Sequence, residues 1–564
     1  MSGVPGQRAV EVLAPESRLI ADLDPVLWGQ TVAQVMVGAV CHPAALVRIS
    51  TRYASDVTRT LFAAAARAVG AKAAGPLPTG ADRRFKDPTW EDNALFFALR
   101  QYHLALSRLL SDLVAASGLE PAAKGRADLV MGFLSDAFAP TNVLALNPDA
   151  LKRAFETGGL SVLRGMRNFL DDLAHNQGRP RQVDTSPFEL GKNLAATPGR
   201  IVFRNDLMEL IQYEPQTEQV YAIPILCSPP WINKYYVMDL APGRSFIEWA
   251  VRHGHTVFAI SYRNPDASMS ATTMDDYLIH GPRAALDVVK QITSSDKVNI
   301  VGLCLGGALT AILAAYLKKV GDESVNSITL LNTLLDYSDP GPLGCFTDPE
   351  IIRRLEAKMS RRGYLEARDM AGTFDILRAN DLIFNYVASN WLKGESPPAF
   401  DILAWNSDST RMPAAMHSFY LRRFYVQNDL ARGELEICGH RLCLEDIEAD
   451  TFIVAAENDH IAPWKGSHKS MRLLGGTVRF VLTNAGHIAG IVNPPGPKAK
   501  HWTGLDTEPD PEQWRAGAAQ SDKTWWETWA AWIAEHGGQL CDPPSMGSTT
   551  HPPGDPAPGT YVRG

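Results

Sequence analysis

The feature that most constrains this chain is a glycine-rich turn around one cysteine, with the sequence Gly-Leu-Cys-Leu-Gly-Gly at residues 302–307. A β-branched apolar run precedes the turn, and an apolar segment of helical character follows it. A side chain on a tight strand-to-helix turn is exposed only where its neighbours lack bulk, which is the geometry of a nucleophile elbow. The pattern therefore predicts that Cys304 is a nucleophile. The alternative is a buried structural cysteine in a glycine-rich turn.

The predicted helix after Cys304 favours nucleophilic chemistry. A helix N-terminus carries partial positive charge and free N–H groups, both of which stabilise a thiolate. The backbone N–H of Leu305, directly after the cysteine, is accordingly a predicted oxyanion donor.

Composition excludes several other classes of protein. Apolar residues make up 45% of the 564 residues and charged residues 21%, and the net charge of −8 argues against a general nucleic-acid binder. A chain of this length is expected to hold a catalytic domain and at least one further region. The seven cysteines show no repeated spacing, which suits a reducing cytoplasm better than a disulfide framework. Because neither a leader pattern nor an apolar stretch of membrane-spanning length occurs, we expect a soluble, cytoplasmic protein without a transmembrane segment.

Hydrophobic periodicity divides the chain into regions. Residues 1–195 have helical periodicity and predict a helical N-terminal region. Residues 196–564 alternate short apolar runs with helices, which predicts an α/β domain with a mostly parallel sheet. The predicted strands are 201–203, 208–213, 222–227, 256–262, 298–303, 327–331, 451–455 and 478–482.

Two further stretches depart from this alternation. Residues from about 336 to 445 become helical, aromatic and rich in loops, which predicts a cap inserted over the site; a structural subdomain with its own core is the alternative. Four tryptophans between Trp525 and Trp532 predict a helix that docks on the domain.

One acidic and one basic candidate partner for the cysteine lie just after predicted strands later in the chain. Asp459 comes just after the strand 451–455, and His487 just after the strand 478–482, in the chain order nucleophile, acid, histidine. His487 is the predicted base for the thiol, and Asp459 either orients His487 or assists a substrate hydroxyl. His460 is an alternative base. Taken singly, such residues are more often a helix cap or a solvated histidine, but three in this order form a specific pattern.

The sequence resembles the poly(3-hydroxyalkanoate) synthases over most of its length. The resemblance lies in the Gly-Leu-Cys-Leu-Gly-Gly turn, in Pro-Pro-Trp-Ile-Asn-Lys-Tyr-Tyr at 229–236, in Arg-Asn-Pro-Asp at 263–266, and in the segments 459–464 and 486–490. N-terminal segments at 84–90 and 140–148 are similar to the long-subunit, class I members. The resemblance implies an α/β-hydrolase-like fold. Because the chain is similar to the long-subunit members, the resemblance does not imply a separate accessory subunit.

The resemblance also implies roles for particular residues. Cys304 would carry the acyl chain, His487 would activate it, and Asp459 would assist the hydroxyl of the incoming hydroxyacyl group. The backbone N–H of Ile232 is a candidate second oxyanion donor. Trp231 occupies the variable place after the two prolines, where it would change the shape of the pocket. Glu-Asn at 457–458 precedes the aspartate where Arg-Glu is common in the family.

The leading hypothesis is an acyltransferase that polymerises (R)-3-hydroxyacyl-CoA into polyhydroxyalkanoate and releases CoA. The alternatives are an intracellular acyl-CoA thioesterase or ester hydrolase with the same triad, and a noncatalytic granule or scaffold protein. Arg422 and Arg423 are candidate ligands for the CoA phosphates, and an ordinary ion-paired role is the alternative. We expect association with polymer granules, a homodimer, and neither a cofactor nor a metal, because metal-ligand spacings are lacking.

Overall fold

The computed structural model describes residues 25–78, 80 and 82–564. They form two compact units, of which one contains the described residues up to Asp184 together with Asp369–Ala399. The other contains Thr185–Arg368 and Phe400–Gly564 and is called the catalytic unit below. The domain limits predicted from sequence, 1–195 and 196–564 with an insertion at about 336–445, stay predictions.

The first unit is helical. Buried apolar side chains from four of its helices, among them Val35, Ile49, Val114 and Met131, form a common core. Its α-helices are Pro25–Val40, Pro43–Ala68, Thr89–Asp92, Ala94–Ala116, Pro121–Ala137, Pro148–Glu156, Leu160–His175 and Ala367–Leu377, followed by π-helical turns at Asn380–Phe384 and Val387–Leu392. The helical N-terminal region predicted from periodicity is therefore confirmed.

Among residues 25–78, 80 and 82–564, no single helix has the length and apolar character needed to cross a membrane. The pair Leu27–Val40 and Pro43–Ala68 meets both requirements only when its members are joined across a 103° bend.

The catalytic unit is built on an 11-stranded sheet. Its strands are β1 (Gly199–Arg204), β2 (Met208–Tyr213), β3 (Val220–Ser228), β4 (His255–Tyr262), β5 (Val298–Leu303), β6 (Val325–Leu331), β7 (Asp450–Ala456), β8 (Val478–Thr483), β9 (His501–Thr503), β10 (Ala519–Ser521) and β11 (Leu540–Cys541). The order is β1-β2-β4-β3-β5-β6-β7-β8-β9-β10, and β11 pairs with β3. The six strands from β4 to β8 in this order are parallel, and the outer pairings are antiparallel.

All eight strands predicted from the sequence are confirmed, with ends that differ by at most two residues. Among the parallel strands, β4, β5 and β7 consist almost wholly of buried residues, so both faces of the sheet are covered there. Three short strands, β9, β10 and β11, were not predicted. They have only two or three residues each, too few to form an apolar run that the sequence would show.

Helices flank this sheet and connect its strands. They are Phe246–Arg252, Met274–Leu278, Ala284–Thr293, Leu305–Lys319, Pro349–Arg362, Asp401–Ser407, Ala414–Tyr420, Asp429–Arg432, Trp464–Lys469, His487–Ile491, Pro511–Gly517 and Trp525–Glu535, with π-helical turns at Ile279–Arg283 and Leu421–Val426. The predicted tryptophan helix is confirmed as Trp525–Glu535. Trp525, Trp526 and Trp529 are buried and pack on Phe246, so the helix is docked as expected.

Candidate active site

Cys304 lies between β5 and the helix Leu305–Lys319, here called the elbow helix. Its backbone has φ 52° and ψ −116°, a conformation that a residue with a Cβ adopts only under constraint. The constraint is visible: the N–H of Cys304 donates to the carbonyl of Leu331 on β6 at 2.8 Å, and Gly307 N–H donates to the carbonyl of Cys304 at 3.0 Å. The half-buried thiol is thus held at the end of a buried strand.

The glycines around Cys304 are required by close backbone approaches. A Cβ on Gly302 would collide with the backbone of Gly307, and a Cβ on Gly307 would collide with the side chain of Thr333. A Cβ on Gly306 would collide with the backbone oxygens of Ser228 and Pro229, at the end of β3. The glycine pattern in the sequence therefore reflects a turn packed tightly against both neighbouring strands.

Asp459 is fixed in the turn after β7. Its Oδ1 accepts hydrogen bonds from the N–H groups of Ile461 at 2.8 Å and Ala462 at 2.9 Å. Its Oδ2 accepts a hydrogen bond of 2.6 Å from Nδ1 of His487. The carboxylate side chain has no exposed surface. Asp459 therefore faces the imidazole with Oδ2, and its side chain is not exposed to solvent.

His487 begins the short helix after β8, and its side chain is buried. Burial by itself lowers the pKa of this histidine, but the charges of Asp459 and Cys304 and hydrogen bonds to both outweigh burial and raise the pKa to about 10. Because Nδ1 is bonded to Asp459, Nε2 is the nitrogen left for the thiol. The structure thus joins Asp459, His487 and Cys304, three residues from different strand ends, in one chain of contacts.

Asn332, which was not singled out in the sequence, supports the backbone of His487. It follows β6, is fully buried, and has φ 44°, in the left-handed region that asparagine tolerates. Its Nδ2 donates to the carbonyl of His487, and its own N–H donates to the carbonyl of Val454 at 2.8 Å. An asparagine at a strand end is too common a feature to have been recognised from sequence alone.

The two predicted oxyanion donors lie on different elements. Leu305 is the first residue of the elbow helix, so its N–H has no acceptor within the helix. Ile232 is a buried residue in the loop after β3, two residues beyond the Pro229–Pro230 pair. Because the backbone of Pro229 touches Gly306, this loop begins directly against the elbow helix.

Aromatic side chains lie near the thiol. Burial raises the pKa of Tyr337, Tyr420 and Tyr425, and a charge on Cys304 raises the pKa of each further, so all three rings are close to Cys304. The Tyr420 hydroxyl donates to the Tyr425 hydroxyl at 3.2 Å. Trp231 is buried and packs edge-on against Tyr420, with ring centroids 5.7 Å apart. The surroundings of the thiol are therefore largely aromatic.

The remaining predicted site residues have other surroundings. Arg422 makes a two-pronged ion pair with Glu356, at 2.7 Å from Nε and 2.6 Å from Nη2. Arg423 pairs with the buried Asp429 at 2.8 Å. His460 lies directly after Asp459 and is half-buried. Within the described part of the chain, no group of three or more His, Cys, Asp and Glu side chains is arranged to hold a metal ion.

Comparison with known proteins identifies the family. Residues 81–250 match the family model described as the N-terminus of poly-beta-hydroxybutyrate polymerase (PhaC), and residues 239–494 match the model of the alpha/beta hydrolase fold. The chain is 40% identical over 536 residues to the poly(3-hydroxyalkanoate) polymerase subunit PhaC of Cupriavidus necator, covering 94% of this chain and 90% of that protein. It is 42% identical over 488 residues to poly(3-hydroxyalkanoate) polymerase 2 of Ectopseudomonas oleovorans, covering 86% of this chain and 87% of the relative. The chain therefore belongs to the poly(3-hydroxyalkanoate) polymerase family of acyl-transferring enzymes and has the alpha/beta hydrolase fold.

Proposed function

We propose that this chain polymerises (R)-3-hydroxyacyl-CoA through a covalent acyl group on Cys304. The proposal is supported by the chain of contacts from Asp459 through His487 to Cys304, which lies on a nucleophile elbow. A thiol in this setting has a base within reach, and the base has a carboxylate that fixes its orientation. The polymerase names of the relatives support the polyester as the product.

In the acylation step, the Cys304 thiol gives its proton to Nε2 of His487 and its sulfur attacks the thioester carbonyl of the substrate. The resulting oxyanion accepts hydrogen bonds from the N–H groups of Leu305 and Ile232. Collapse of the tetrahedral intermediate breaks the bond to the CoA sulfur, which takes the proton from His487 and leaves as CoA. Asp459 stabilises the imidazolium throughout, as its hydrogen bond to Nδ1 allows.

In the elongation step, the hydroxyl of a second 3-hydroxyacyl-CoA attacks the acyl group on Cys304. Its proton passes to His487, a new ester bond forms, and the Cys304 sulfur leaves and is reprotonated. The lengthened chain is then a CoA thioester, which acylates Cys304 again with release of CoA. Each cycle adds one hydroxyacyl unit and frees one CoA, and the same base serves both steps.

A thioesterase is the enzymatic alternative, because water could take the place of the hydroxyl. The aromatic side chains of Tyr337, Tyr420 and Tyr425 near the thiol, with Trp231 packed on Tyr420, favour transfer, since bulky rings limit the access of water to the acyl group. Association with the surface of the polyester granule follows from a product that stays attached to the enzyme. The homodimer predicted from sequence stays a prediction.

The test is to incubate the purified protein with 3-hydroxybutyryl-CoA and to follow free thiol and turbidity together. Polymerisation releases CoA and makes the solution turbid with polyester. Hydrolysis releases CoA and leaves 3-hydroxybutyrate in a clear solution, and that result would replace the proposal with the thioesterase. A noncatalytic scaffold would release no CoA at all.

A further inference from the structure

Lys234 is a buried lysine in the loop after β3, two residues beyond the proposed oxyanion donor Ile232. Its side chain is only 6% exposed. A lysine ammonium is almost never buried to this degree unless partners satisfy it, because removing the charge from water is costly. Nothing in the proposed acylation and elongation steps uses this side chain, so its burial needs another explanation.

The ammonium group of Lys234 has three oxygen partners from two other parts of the chain. It lies 2.8 Å from Oδ1 of Asp408, and it donates to the backbone oxygens of Val562 at 2.7 Å and Gly564 at 3.0 Å. A lysine ammonium has three N–H donors, so all three are used. The side chain therefore ties the loop after β3 to the segment around Asp408 and to the segment 562–564.

The backbone of the same loop is held by the segment around Asp408 as well. The indole Nε1 of Trp405 donates to the carbonyl of Lys234 at 2.8 Å. The hydroxyl of Tyr236 donates to Oδ2 of Asp408 at 2.9 Å, and Asn233 forms a β-bridge with Ser409. Residues 233–236 are thus fixed at both the side chains and the main chain, immediately after Ile232.

We propose that Lys234 is a positioning residue that holds the backbone N–H of Ile232 where the oxyanion of the tetrahedral intermediate forms. The inference rests on the proposed function, because it takes Ile232 to be an oxyanion donor and Cys304 to be the acylated residue. An oxyanion donor acts only within about 2.7–3.1 Å of the developing charge, so a small displacement of the loop removes its effect. The three contacts of Lys234 restrain that displacement.

The variant Lys234→Met keeps the length of the side chain and removes the ammonium. It leaves Asp408 and two backbone oxygens without this donor, so the loop loses its tie to both segments. Lys234→Arg keeps a positive charge with several N–H donors. The matched control is Arg283→Met, which breaks the partly buried ion pair with Asp322 elsewhere in the catalytic unit.

Two rates at Cys304 separate positioning from general stability. The first is the rate of acylation by 3-hydroxybutyryl-CoA in a stopped reaction, which passes through an oxyanion. The second is the rate of alkylation by iodoacetamide, a displacement at a saturated carbon that forms no oxyanion. Both are read on the peptide that contains Cys304 by mass spectrometry, and the thermal unfolding midpoint is recorded for each full-length variant.

We expect Lys234→Met to lower the acylation rate by roughly 10- to 100-fold, somewhat less than the 10²- to 10³-fold loss when a donor is removed outright. Its alkylation rate should stay near that of the wild type, and Lys234→Arg should recover most of the acylation. Arg283→Met should lower the unfolding midpoint without separating the two rates.

An unchanged acylation rate in Lys234→Met, or equal losses of acylation and alkylation, would overturn the positioning role. If Lys234→Met does not fold, the same two rates in Asp408→Asn decide the matter, because this change weakens the hold on Lys234 and keeps an acceptor for Tyr236. A loss of acylation without a loss of alkylation in Asp408→Asn supports the positioning role, and an acylation rate equal to that of the wild type contradicts it. Absence of acylation in the wild type would instead refute the proposed function itself.

Discussion

Asp459 and His487 are joined by a hydrogen bond of 2.6 Å in which the carboxylate has no exposed surface. The other oxygen of Asp459 already accepts two backbone N–H groups, from Ile461 and Ala462. An incoming hydroxyl group cannot reach this carboxylate while the arrangement persists. The geometry therefore favours an aspartate that acts through His487 over one that deprotonates the substrate hydroxyl directly.

This relationship predicts the behaviour of Asp459→Asn. The asparagine amide would face Nδ1 of His487 and stabilise the tautomer whose Nε2 carries the proton, so the base could no longer accept one. Acylation and elongation should fall by the same factor, on the order of 10²- to 10⁴-fold, as for an aspartate that orients a catalytic histidine. A stopped assay that traps labelled acyl-enzyme measures the first step, and chain length measures the second. Normal acylation combined with failed elongation would restore the direct role for Asp459.

The raised pKa of His487 predicts a pH dependence of stability. The folded-state pKa of about 10 lies above the ordinary value of 6.5, so the histidine stabilises the fold fully below pH 6.5 and loses this contribution as the pH rises through the folded-state pKa. The Cys304→Ala background removes the thiol, which would otherwise titrate with His487 and which supplies part of the rise, so that only Asp459 raises the pKa of His487 in this background. We expect the unfolding free energy of Cys304→Ala, minus that of Cys304→Ala/His487→Gln, to fall with pH above 6.5, by at most about 1.4 kcal/mol per pH unit.

Denaturant unfolding of both proteins across pH 5 to pH 10, on the order of one point per half unit, measures that difference. A difference that stays level over the range, or that grows with pH, would show that Asp459 does not raise the pKa of His487. The Cys304→Ala variant by itself also shows whether the turn still folds, because alanine has a Cβ like cysteine and must adopt the same positive φ at this position.

Asn332 and Asn326 provide a matched pair of sites on one strand. Asn332 follows β6 and donates to the carbonyl of His487, whereas Asn326 near the start of β6 donates to the carbonyl of His536 at 2.9 Å. In each case aspartate would place a carboxylate against a carbonyl. We expect Asn332→Asp to lower kcat by roughly 10- to 100-fold, since small displacements of a catalytic group are costly, and Asn326→Asp to affect mainly the unfolding midpoint. Similar kcat values in the two variants would assign Asn332 to stability alone.

The ion pair between Arg422 and Glu356 bears on CoA recognition. Both prongs of the guanidinium already contact the carboxylate, so binding a phosphate would require exchange of partners. We expect Arg422→Ala to change KM for an acyl-CoA and for a short acyl-pantetheine thioester by the same factor, and Glu356→Gln to behave alike. Steady-state kinetics with both substrates provides the comparison. A KM increase confined to the acyl-CoA would identify Arg422 as a phosphate ligand.

The sequence was sufficient for the central sheet and for the three residues joined at its edge. Continuous apolar runs mark the buried parallel strands, and the glycines around Cys304 mark a turn whose close contacts the structure makes explicit. Asp459 and His487 could be predicted because each directly follows such a strand, and parallel strands end at the same edge of the sheet. The Arg422 and Arg423 ion pairs could not be predicted, since Glu356 and Asp429 carry no pattern that links them to these arginines.

The roles of Asn332 and Lys234 could not be predicted from the sequence either, because their partners lie far away in the chain. Asn332 contacts a residue 155 positions away in the chain, and Lys234 contacts a residue 328 positions away. Such contacts depend on how the loops pack against the sheet. The residues that flank Asn332 and Lys234 in the sequence do not indicate which partners they contact. The short strands β9 to β11 were missed because segments of two or three residues pair through their backbones and leave little trace in hydropathy.

Covalent catalysis by Cys304 is tested most directly by identifying the acylated residue. The wild type and Cys304→Ala would each be mixed with 3-hydroxybutyryl-CoA, stopped in acid during turnover, digested and examined by mass spectrometry, with released CoA counted in parallel. We expect a hydroxyacyl group on the Cys304 peptide of the wild type, and neither an acylated peptide nor CoA release in Cys304→Ala. Sustained CoA release by Cys304→Ala, or an acyl group on a different residue during wild-type turnover, would contradict covalent catalysis by Cys304.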